Sequence, residues 1–350
     1  MSQSRKPLSS GFITVVVAAL LAAVPAWAQT GASLTLRGAG ATFPAPLYYK
    51  WAESFTKSRP DIRVTYDSVG SGDGISRFVA GTVDFGASDA GIGEQDAAKV
   101  ARGILVVPGT AGMIALAYNM PGLGGSLRLP RDVYVDILLG KLTRWDDERL
   151  KRANPALKLP ARTIAVVARL DRSGTTFAFT NHLSAISDAW RAGPGVGTAI
   201  EWPRQTMLAR GNEGVASRIK ISEGSIGYVE YGFASRLGLS LAEIENRAGQ
   251  FVAPSEASGQ SALAEAFRRP TGDELRIFIT DPSAPESYPV VTFSWIMLYK
   301  QYPDERTRSA LRAFLSWGLI DGQKLAKELG FLPLPAPVVA RGMNALDVIR

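Results

Sequence analysis

Residues 169–177, Arg-Leu-Asp-Arg-Ser-Gly-Thr-Thr-Phe, follow the apolar run 164–168 and precede a helix-like stretch that ends near Trp190. This order predicts a strand, a tight loop and a helix that begins at Ser-Gly-Thr-Thr. The unpaired N–H groups and the positive dipole end of such a helix favour an anion. The Arg169 guanidinium adds a two-pronged donor at the strand end. An ordinary Ser/Thr helix cap beside a surface arginine is the alternative that these nine residues leave open.

The amino-terminal residues have the three parts of a secretory signal peptide. Arg5 and Lys6 supply positive charge, residues 12–23 are apolar, and Ala26-Trp27-Ala28 fits the small-x-small cleavage rule. A membrane anchor is the alternative, which is disfavoured because the apolar stretch is short and Pro25 interrupts its end. The mature protein is therefore expected to be soluble and outside the cytoplasm.

The 350-residue chain has an ordinary composition for a globular protein, with 46% hydrophobic and 20% charged residues. Its length is sufficient for two domains with hydrophobic cores. The formal charge of +7 falls to about +5 without the leader. No basic run is interleaved with aromatic residues, which argues against nucleic-acid binding. The absence of cysteine excludes disulfides, thiolate metal sites and lipid attachment at the cleavage site.

Two earlier loops repeat the strand–loop–helix arrangement. A strand over 34–37 leads into residues 38–46, Gly-Ala-Gly-Ala-Thr-Phe-Pro-Ala-Pro, and a strand over 63–69 leads into 70–74, Gly-Ser-Gly-Asp-Gly. The first loop lacks the third glycine of a dinucleotide fingerprint, and no Gly-Lys-Ser/Thr follows the second. Main-chain N–H groups and hydroxyls in these loops can face an anion. Turns that serve only strand–helix packing are the alternative.

Asp89 lies in a third element, Val83–Ala90. An ionised carboxylate only accepts hydrogen bonds. Among anion-binding loops it would repel a fully ionised anion and favour one that retains a proton.

The alternation of strands and helices predicts an α/β fold with helix-covered sheets. Residues 104–108 and 113–118 are expected to be two buried strands, the second crossing into another lobe, and 290–299 a strand that returns. Helical segments are expected over 304–329 and 337–349. Two lobes with a ligand between them would bring together the loops at 41–43, 71, 89 and 169–175.

Four segments together resemble the phosphate-binding subunit of the bacterial high-affinity phosphate ABC transporter: 38–46, 83–89, 171–175 and 224–231. The likeness extends over nearly all of the mature chain. It implies a two-lobed periplasmic binding protein fold of type II with the ligand in the cleft. The corresponding divisions are a signal peptide over 1–28, lobe I over 29–113 and 286–350, and lobe II over 114–285.

The resemblance also implies a monomeric periplasmic protein that closes on one inorganic phosphate without a cofactor, metal or catalytic residue. The phosphate would pass to an inner-membrane ABC permease with two transmembrane subunits and a cytoplasmic ATPase. The implied phosphate contacts are Ala41, Thr42, Phe43, Ser71, Asp89, Arg169, Ser173, Gly174 and Thr175. Asp171 would hold Arg169 through a charge-assisted hydrogen bond. The chain departs from the family pattern at Arg172, where relatives often carry glycine, and at Gly72 and Asp73, where some carry serine and glycine.

Two other classes of function are considered. A receptor for sulfate or molybdate should lack an acidic residue in the site, so Asp89 argues against it. A secreted phosphatase or serine hydrolase could use Ser173 as its nucleophile. Its base would have to be His182, the single histidine of the chain, which lies inside the helix after the anion loop.

Overall fold

The computed structural model of the protein describes Met1 and residues 33–266 and 277–350. The predicted signal peptide therefore lies outside the described residues, apart from Met1. Residues 267–276 of the predicted lobe II also lie outside them. Residues Ser33–Arg350 form one compact unit.

Twelve strands occur in the described part of the chain. They are β1 (Leu34–Gly40), β2 (Ile62–Ser68), β3 (Phe85–Ser88), β4 (Ile104–Asn119), β5 (Arg128–Leu129), β6 (Ala165–Arg169), β7 (Met207–Ala209), β8 (Ser225–Glu230), β9 (Ser240–Leu241), β10 (Glu243–Glu245), β11 (Phe251–Val252) and β12 (Val291–Tyr299).

Thirteen helices occur within the same described ranges. They are α1 (Ala45–Ser58), α2 (Ser71–Val79), α3 (Glu94–Ala97), α4 (Arg131–Leu138), α5 (Glu148–Ala153), α6 (Gly174–Ile186), α7 (Asp188–Ala192), α8 (Gly211–Ile221), α9 (Tyr231–Arg236), α10 (Glu256–Ala266), α11 (Glu305–Ile320), α12 (Gln323–Glu328) and α13 (Ala336–Asp347). None of these helices is both long enough and apolar enough to span a bilayer.

Nine of the described strands form one mixed sheet in the order β2-β1-β3-β12-β4-β8-β6-β7, with β9 paired to β4. β1 is parallel to β2 and β3, and β6 is parallel to β7 and β8. Since the carboxyl ends of parallel strands lie at one edge, the loops that follow β1, β2 and β3 lie together. The loops that follow β6, β7 and β8 lie together for the same reason. The predicted α/β fold is confirmed.

Strand β4 joins two halves of the sheet. Its residues Ile104–Met113 pair with β12, and its residues Ile114–Asn119 pair with β8. The strands on the β12 side (β1, β2, β3 and β12) are called the first sheet half below. Those on the β8 side (β6, β7, β8 and β9) are called the second sheet half.

The expectation of two separate strands at 104–108 and 113–118 is wrong, because β4 is continuous. The glycines between them are extended and packed tightly. A Cβ at Gly109 would lie 2.4 Å from the Tyr48 hydroxyl, and one at Gly112 would lie 2.8 Å from the Phe43 ring. These glycines accommodate buried aromatic side chains and do not form a turn.

Helix α1 shows how the first sheet half is covered. Leu47, Trp51 and Phe55 recur at helical spacing and are all buried. Trp51 and Phe55 both pack edge-on against Phe314 of α11. The helix therefore packs against both the sheet and its neighbouring helix.

The helical segment predicted over 304–329 is divided in the structure into α11 and α12. The Trp51 indole donates to the Gly322 carbonyl at 2.9 Å, and a Cβ at Gly322 would lie 2.5 Å from the same indole nitrogen. The break between the two helices therefore occurs where the Trp51 side chain hydrogen-bonds to a main-chain carbonyl. Similarly, the helix expected to end near Trp190 is two helices, because Ser187 caps α7 with its side chain.

Candidate anion-binding site

The predicted site residues lie at the carboxyl edges of both sheet halves, and they are brought together at Ser71. The Ser71 hydroxyl oxygen accepts the main-chain N–H of Asp89 at 3.2 Å and that of Gly174 at 3.1 Å. Asp89 follows β3, whereas Gly174 begins α6 after β6. One buried hydroxyl therefore connects loops from the first and second sheet halves.

The amino terminus of α6 can approach this closely because position 174 is glycine. A Cβ there would lie 2.5 Å from the Ser71 oxygen and 2.7 Å from the Asp89 nitrogen. Ser173 caps the helix, since its side-chain oxygen accepts the Thr176 N–H at 3.1 Å. The Ser-Gly-Thr-Thr sequence thus begins the helix as predicted.

Asn212 is a buried residue that the sequence did not single out. Its side-chain amide donates to the hydroxyl oxygens of Thr42 at 3.0 Å and Thr175 at 3.1 Å. Its main-chain N–H also donates to Thr42, and its carbonyl oxygen accepts the Glu230 N–H at 2.9 Å. It is the second residue of α8. Its partners are distant in the chain, so no local pattern indicates the contact.

The hydroxyls of the site share one property. Each oxygen of Thr42, Ser71 and Thr175 accepts two N–H groups, and that of Ser173 accepts one. A hydroxyl has two acceptor positions and one proton. None of the four protons is donated to another residue in the described part of the chain, so all four are available to a ligand.

The loop after β1 contributes further main-chain donors. The N–H groups of Thr42 and Phe43 donate to no acceptor among the described residues. Ala41 differs, because its N–H donates to the Ala87 carbonyl at 2.9 Å and its own carbonyl accepts the Tyr66 hydroxyl at 2.8 Å. Thr42 and Phe43 therefore retain donors for a ligand, whereas the main-chain polar groups of Ala41 have protein partners.

Arg169 is held by Asp171 through two parallel hydrogen bonds. The Arg169 Nε and Nη2 atoms lie 2.9 and 2.5 Å from the two carboxylate oxygens, and the guanidinium side chain is 1% exposed. Burial alone would raise the pKa of Asp171, but the hydrogen bonds and charge of Arg169 outweigh it and lower that pKa. The ion pair fixes the guanidinium plane, so its Nη1 group stays oriented toward Thr175.

Asp89 supplies an acceptor at a site otherwise composed of donors. Its Oδ1 accepts the Ser294 hydroxyl at 2.6 Å, and no other described residue donates to its carboxylate. Burial raises the pKa of Asp89 to about 7, while the Ser294 hydrogen bond and the Arg169 charge act in the opposite direction. The Oδ2 atom is thus left as the acceptor for a ligand proton.

Arg172, where the chain departs from the family pattern, crosses from the α6 loop to α2. Its Nη2 donates to the Gly72 carbonyl at 2.9 Å and to the Ser76 hydroxyl at 2.8 Å, and its carbonyl accepts the Gly72 N–H at 3.0 Å. A Cβ at Gly72 would lie 2.4 Å from the Arg172 Cβ. The two departures are therefore sterically coupled.

His182 hydrogen-bonds the Tyr134 hydroxyl through Nε2 at 2.8 Å. Burial lowers the pKa of His182 to about 4. It lies on α6 nine residues beyond Ser173, a separation of about 13 Å along a helix. A Ser173–His182 nucleophile–base pair, considered from the sequence, is therefore not formed in this structure.

Comparisons with known proteins give the relatives of this chain. A family model described as a PBP superfamily domain matches residues 25–321. Phosphate-binding protein PstS of Pasteurella multocida is 37% identical over 317 residues, which are 90% of this chain and 90% of that protein. The protein of the same name from Haemophilus influenzae is 38% identical over 87% of this chain and 90% of its own length. That of Methanocaldococcus jannaschii is 35% identical over 91% and 87%.

Solved structures share the fold. A high-affinity periplasmic phosphate-binding protein, PfluDING, bound with phosphate, has a TM-score of 0.72 at 20% identity and covers 88% of this chain and 92% of its own. The phosphate-binding protein from Stenotrophomonas maltophilia has a TM-score of 0.70 at 19% identity, with coverage of 89% and 93%. The two-lobed periplasmic binding protein architecture predicted from the sequence is thereby confirmed.

Proposed function

This chain belongs to the family of phosphate-binding PstS proteins, and from that membership we propose that it binds inorganic phosphate for import by an ABC transporter. One observation carries the proposal at the level of the site. In the described part of the chain, four site hydroxyls donate their protons to no residue, the N–H groups of Thr42 and Phe43 have no acceptor, and they lie with the buried Arg169 guanidinium at a site where Asp89 Oδ2 accepts no hydrogen bond. A buried phosphate loses its water and requires such a set of fixed donors.

The single acceptor provides selectivity. Near neutral pH phosphate retains a proton, which Asp89 Oδ2 can accept, whereas sulfate has none. Sulfate would leave the carboxylate unpaired and repelled. Sites that depend on such a polar match reject the wrong ligand by roughly 10⁴- to 10⁵-fold.

We propose that lobe I comprises residues 29–113 and 286–350 and lobe II residues 114–285. The exchange of β4 partners between Met113 and Ile114 supports this division. In this scheme the Ser71–Gly174, Thr42–Asn212 and Gly72–Arg172 hydrogen bonds all join one lobe to the other. They would form when the lobes close on the ligand and break when they open.

The proposal extends to location and partners. The leader-like residues 1–28 support export to the periplasm. The resemblance described above implies a monomer that delivers phosphate to an inner-membrane permease with two transmembrane subunits and a cytoplasmic ATPase.

A calorimetric titration tests the function. The purified protein is first stripped of endogenous phosphate and then titrated with inorganic phosphate and, separately, with sulfate. At about pH 8.5, where Asp89 is mostly ionised, one phosphate per chain should bind, and sulfate at the same concentration should give far less binding heat. Binding of sulfate with equal affinity, or no binding of phosphate, would refute the proposal.

The enzymatic alternative is tested with the same preparation. The protein is incubated with p-nitrophenyl phosphate, and release of p-nitrophenol is followed over many equivalents of protein. We expect no turnover, because a nucleophile–base pair is not formed at Ser173. Sustained turnover that an active-site variant abolishes would favour a phosphatase.

A further inference from the structure

Ser294 lies in the middle of β12 and is completely buried. The pairing of β12 with β4 shifts between Ser294 and Trp295, and Trp295 pairs with Ser88, the residue before Asp89. The antiparallel register with β3 makes Ser294 the next residue opposite Asp89, and its hydroxyl donates to Asp89 Oδ1 at 2.6 Å. No local sequence pattern marks Ser294 as part of the site.

We propose that Ser294 is a positioning residue that determines the selectivity for phosphate over sulfate. Its hydroxyl engages one oxygen of Asp89, directs the other toward the ligand and favours the ionised carboxylate. The inference depends on the proposed phosphate binding at this site and adds a residue that would not itself contact the ligand.

The chemistry follows from the two forms of a carboxyl group. An ionised carboxylate accepts a hydrogen bond from protonated phosphate and repels sulfate, whereas a protonated carboxyl group can donate a hydrogen bond to either anion. Burial raises the pKa of Asp89 to about 7, so small changes in its surroundings decide which form is present near neutral pH. Removal of the Ser294 donor would favour the protonated form and admit sulfate.

The other ionisable groups near Asp89 either stabilise its carboxylate by charge alone or are themselves neutral or already hydrogen-bonded. Arg169 stabilises the carboxylate from the second sheet half. Burial raises the pKa values of Tyr48 and Tyr66, so both phenols stay neutral. Burial raises the pKa of Glu230 to about 8, and its carboxylate is occupied by the N–H groups of α9. Among the described residues, Ser294 is thus the side-chain hydrogen-bond donor to Asp89.

The test compares Ser294→Ala with Ser294→Thr, which keeps a hydroxyl, and with Ser287→Ala. Ser287 is a matched control because it is equally buried and its hydroxyl hydrogen-bonds Ser261 at 2.8 Å. Affinities for inorganic phosphate and for sulfate are measured from about pH 5 to pH 9, a range that spans the Asp89 titration. Circular dichroism and thermal melting establish that each variant is folded.

In Ser294→Ala, sulfate affinity should rise by about tenfold near pH 9, the equivalent of one pKa unit, and by less than about twofold at pH 7, where Asp89 is already half protonated. The pH below which sulfate competes should move upward, and Ser294→Thr and Ser287→Ala should behave as the unmodified protein. A merely structural role would weaken both anions equally without moving the pH profile.

The outcomes separate this inference from the proposed function. If the unmodified protein fails to bind phosphate, the function itself is refuted. If it binds phosphate but Ser294→Ala has an unchanged selectivity and pH profile, only the role of Ser294 is refuted. If Ser294→Ala does not fold, Ser294→Thr decides: retained selectivity supports the role of the hydroxyl, and relaxed selectivity contradicts it.

Discussion

The side-chain oxygen of Ser71 accepts the main-chain N–H of Gly174 at 3.1 Å, although the two residues are 103 positions apart in the chain. This bond joins the amino terminus of α2 to that of α6. Both helix termini therefore direct their unpaired N–H groups and positive dipole ends to one region. The closeness of the two chains depends on the missing side chain at position 174.

Replacement of Gly174 by alanine should abolish high-affinity phosphate binding. The added Cβ would lie 2.5 Å from the Ser71 oxygen and 2.7 Å from the Asp89 nitrogen, so the two loops must separate. We expect a loss of at least about a hundredfold in affinity, since small displacements of binding groups have effects of that size. Calorimetry measures the affinity. Gly93→Ala is the control, because nothing lies within 4 Å of a Cβ there. Equal affinity in the two variants would contradict the prediction.

Replacement of Asn212 by alanine should weaken phosphate binding by about ten- to a hundredfold, because two hydroxyls lose the donors that orient them. Asn212→Asp should bind phosphate more weakly than Asn212→Ala. Its carboxylate would accept the protons of Thr42 and Thr175 that are otherwise available to phosphate, and it would add a negative charge. Titration of both variants tests this order.

Asn119→Ala serves as the control for Asn212, since the Asn119 amide hydrogen-bonds the Ile219 and Lys220 carbonyls at the other end of α8. Its affinity should remain unchanged. An Asn212→Asp variant that binds phosphate better than Asn212→Ala would show that the hydroxyl protons do not face the ligand.

Replacement of Arg172 by alanine should lower phosphate affinity by about thirtyfold and speed release. The variant loses hydrogen bonds from the loop before α6 to Gly72 and Ser76 of α2, each worth about 1 kcal/mol, and a weak exposed contact with Asp73 at 3.4 Å. Stopped-flow measurement of phosphate release gives the off-rate. Arg59→Ala, which removes only a pair with the nearby Asp61, is the control. An unchanged off-rate would mean that Arg172 does not hold the bound form.

Replacement of Asp89 by asparagine should reduce the discrimination against sulfate at about pH 9 by about a hundredfold, because the carboxyl group of the unmodified protein is ionised there and an amide can donate to an anion that carries no proton. Competition titrations of phosphate with sulfate measure the ratio of the two affinities. If the ratio equals that of the unmodified protein, Asp89 does not recognise the ligand proton.

The stability of the ligand-free protein should also depend on pH through Asp89. Because its pKa is raised from 3.8 to about 7, its contribution to stability is complete at low pH and is lost as the pH rises through about 7. Asp89→Asn should therefore melt at a higher temperature than the unmodified protein near pH 8.5, by about 2–4 °C for each kcal/mol gained. The difference should shrink as the pH falls and vanish only near about pH 3, below the unfolded-state pKa of 3.8. A difference that is independent of pH would contradict this assignment.

The local elements of the site followed from the sequence with small errors. The Ser173 cap, the strand before Arg169 and the loop before α1 all lie where the patterns indicated, because caps, dipoles and turns depend on residues a few positions apart. The continuity of β4 was missed, since Gly109 and Gly112 resemble a turn in the sequence. Their actual role, space for Tyr48 and Phe43, depends on residues more than sixty positions away.

The sequence by itself determined the α/β class, the anion-binding character of the α6 terminus and the family to which the chain is similar. Only the tertiary structure decided that Asn212 orients Thr42 and Thr175, that Ser294 reaches Asp89, and that Arg172 bonds α2. The physical reason is the separation along the chain over which each interaction acts. Helix dipoles and capping bonds act within one turn, whereas these hydrogen bonds exist only after packing has brought the edges of two sheet halves together.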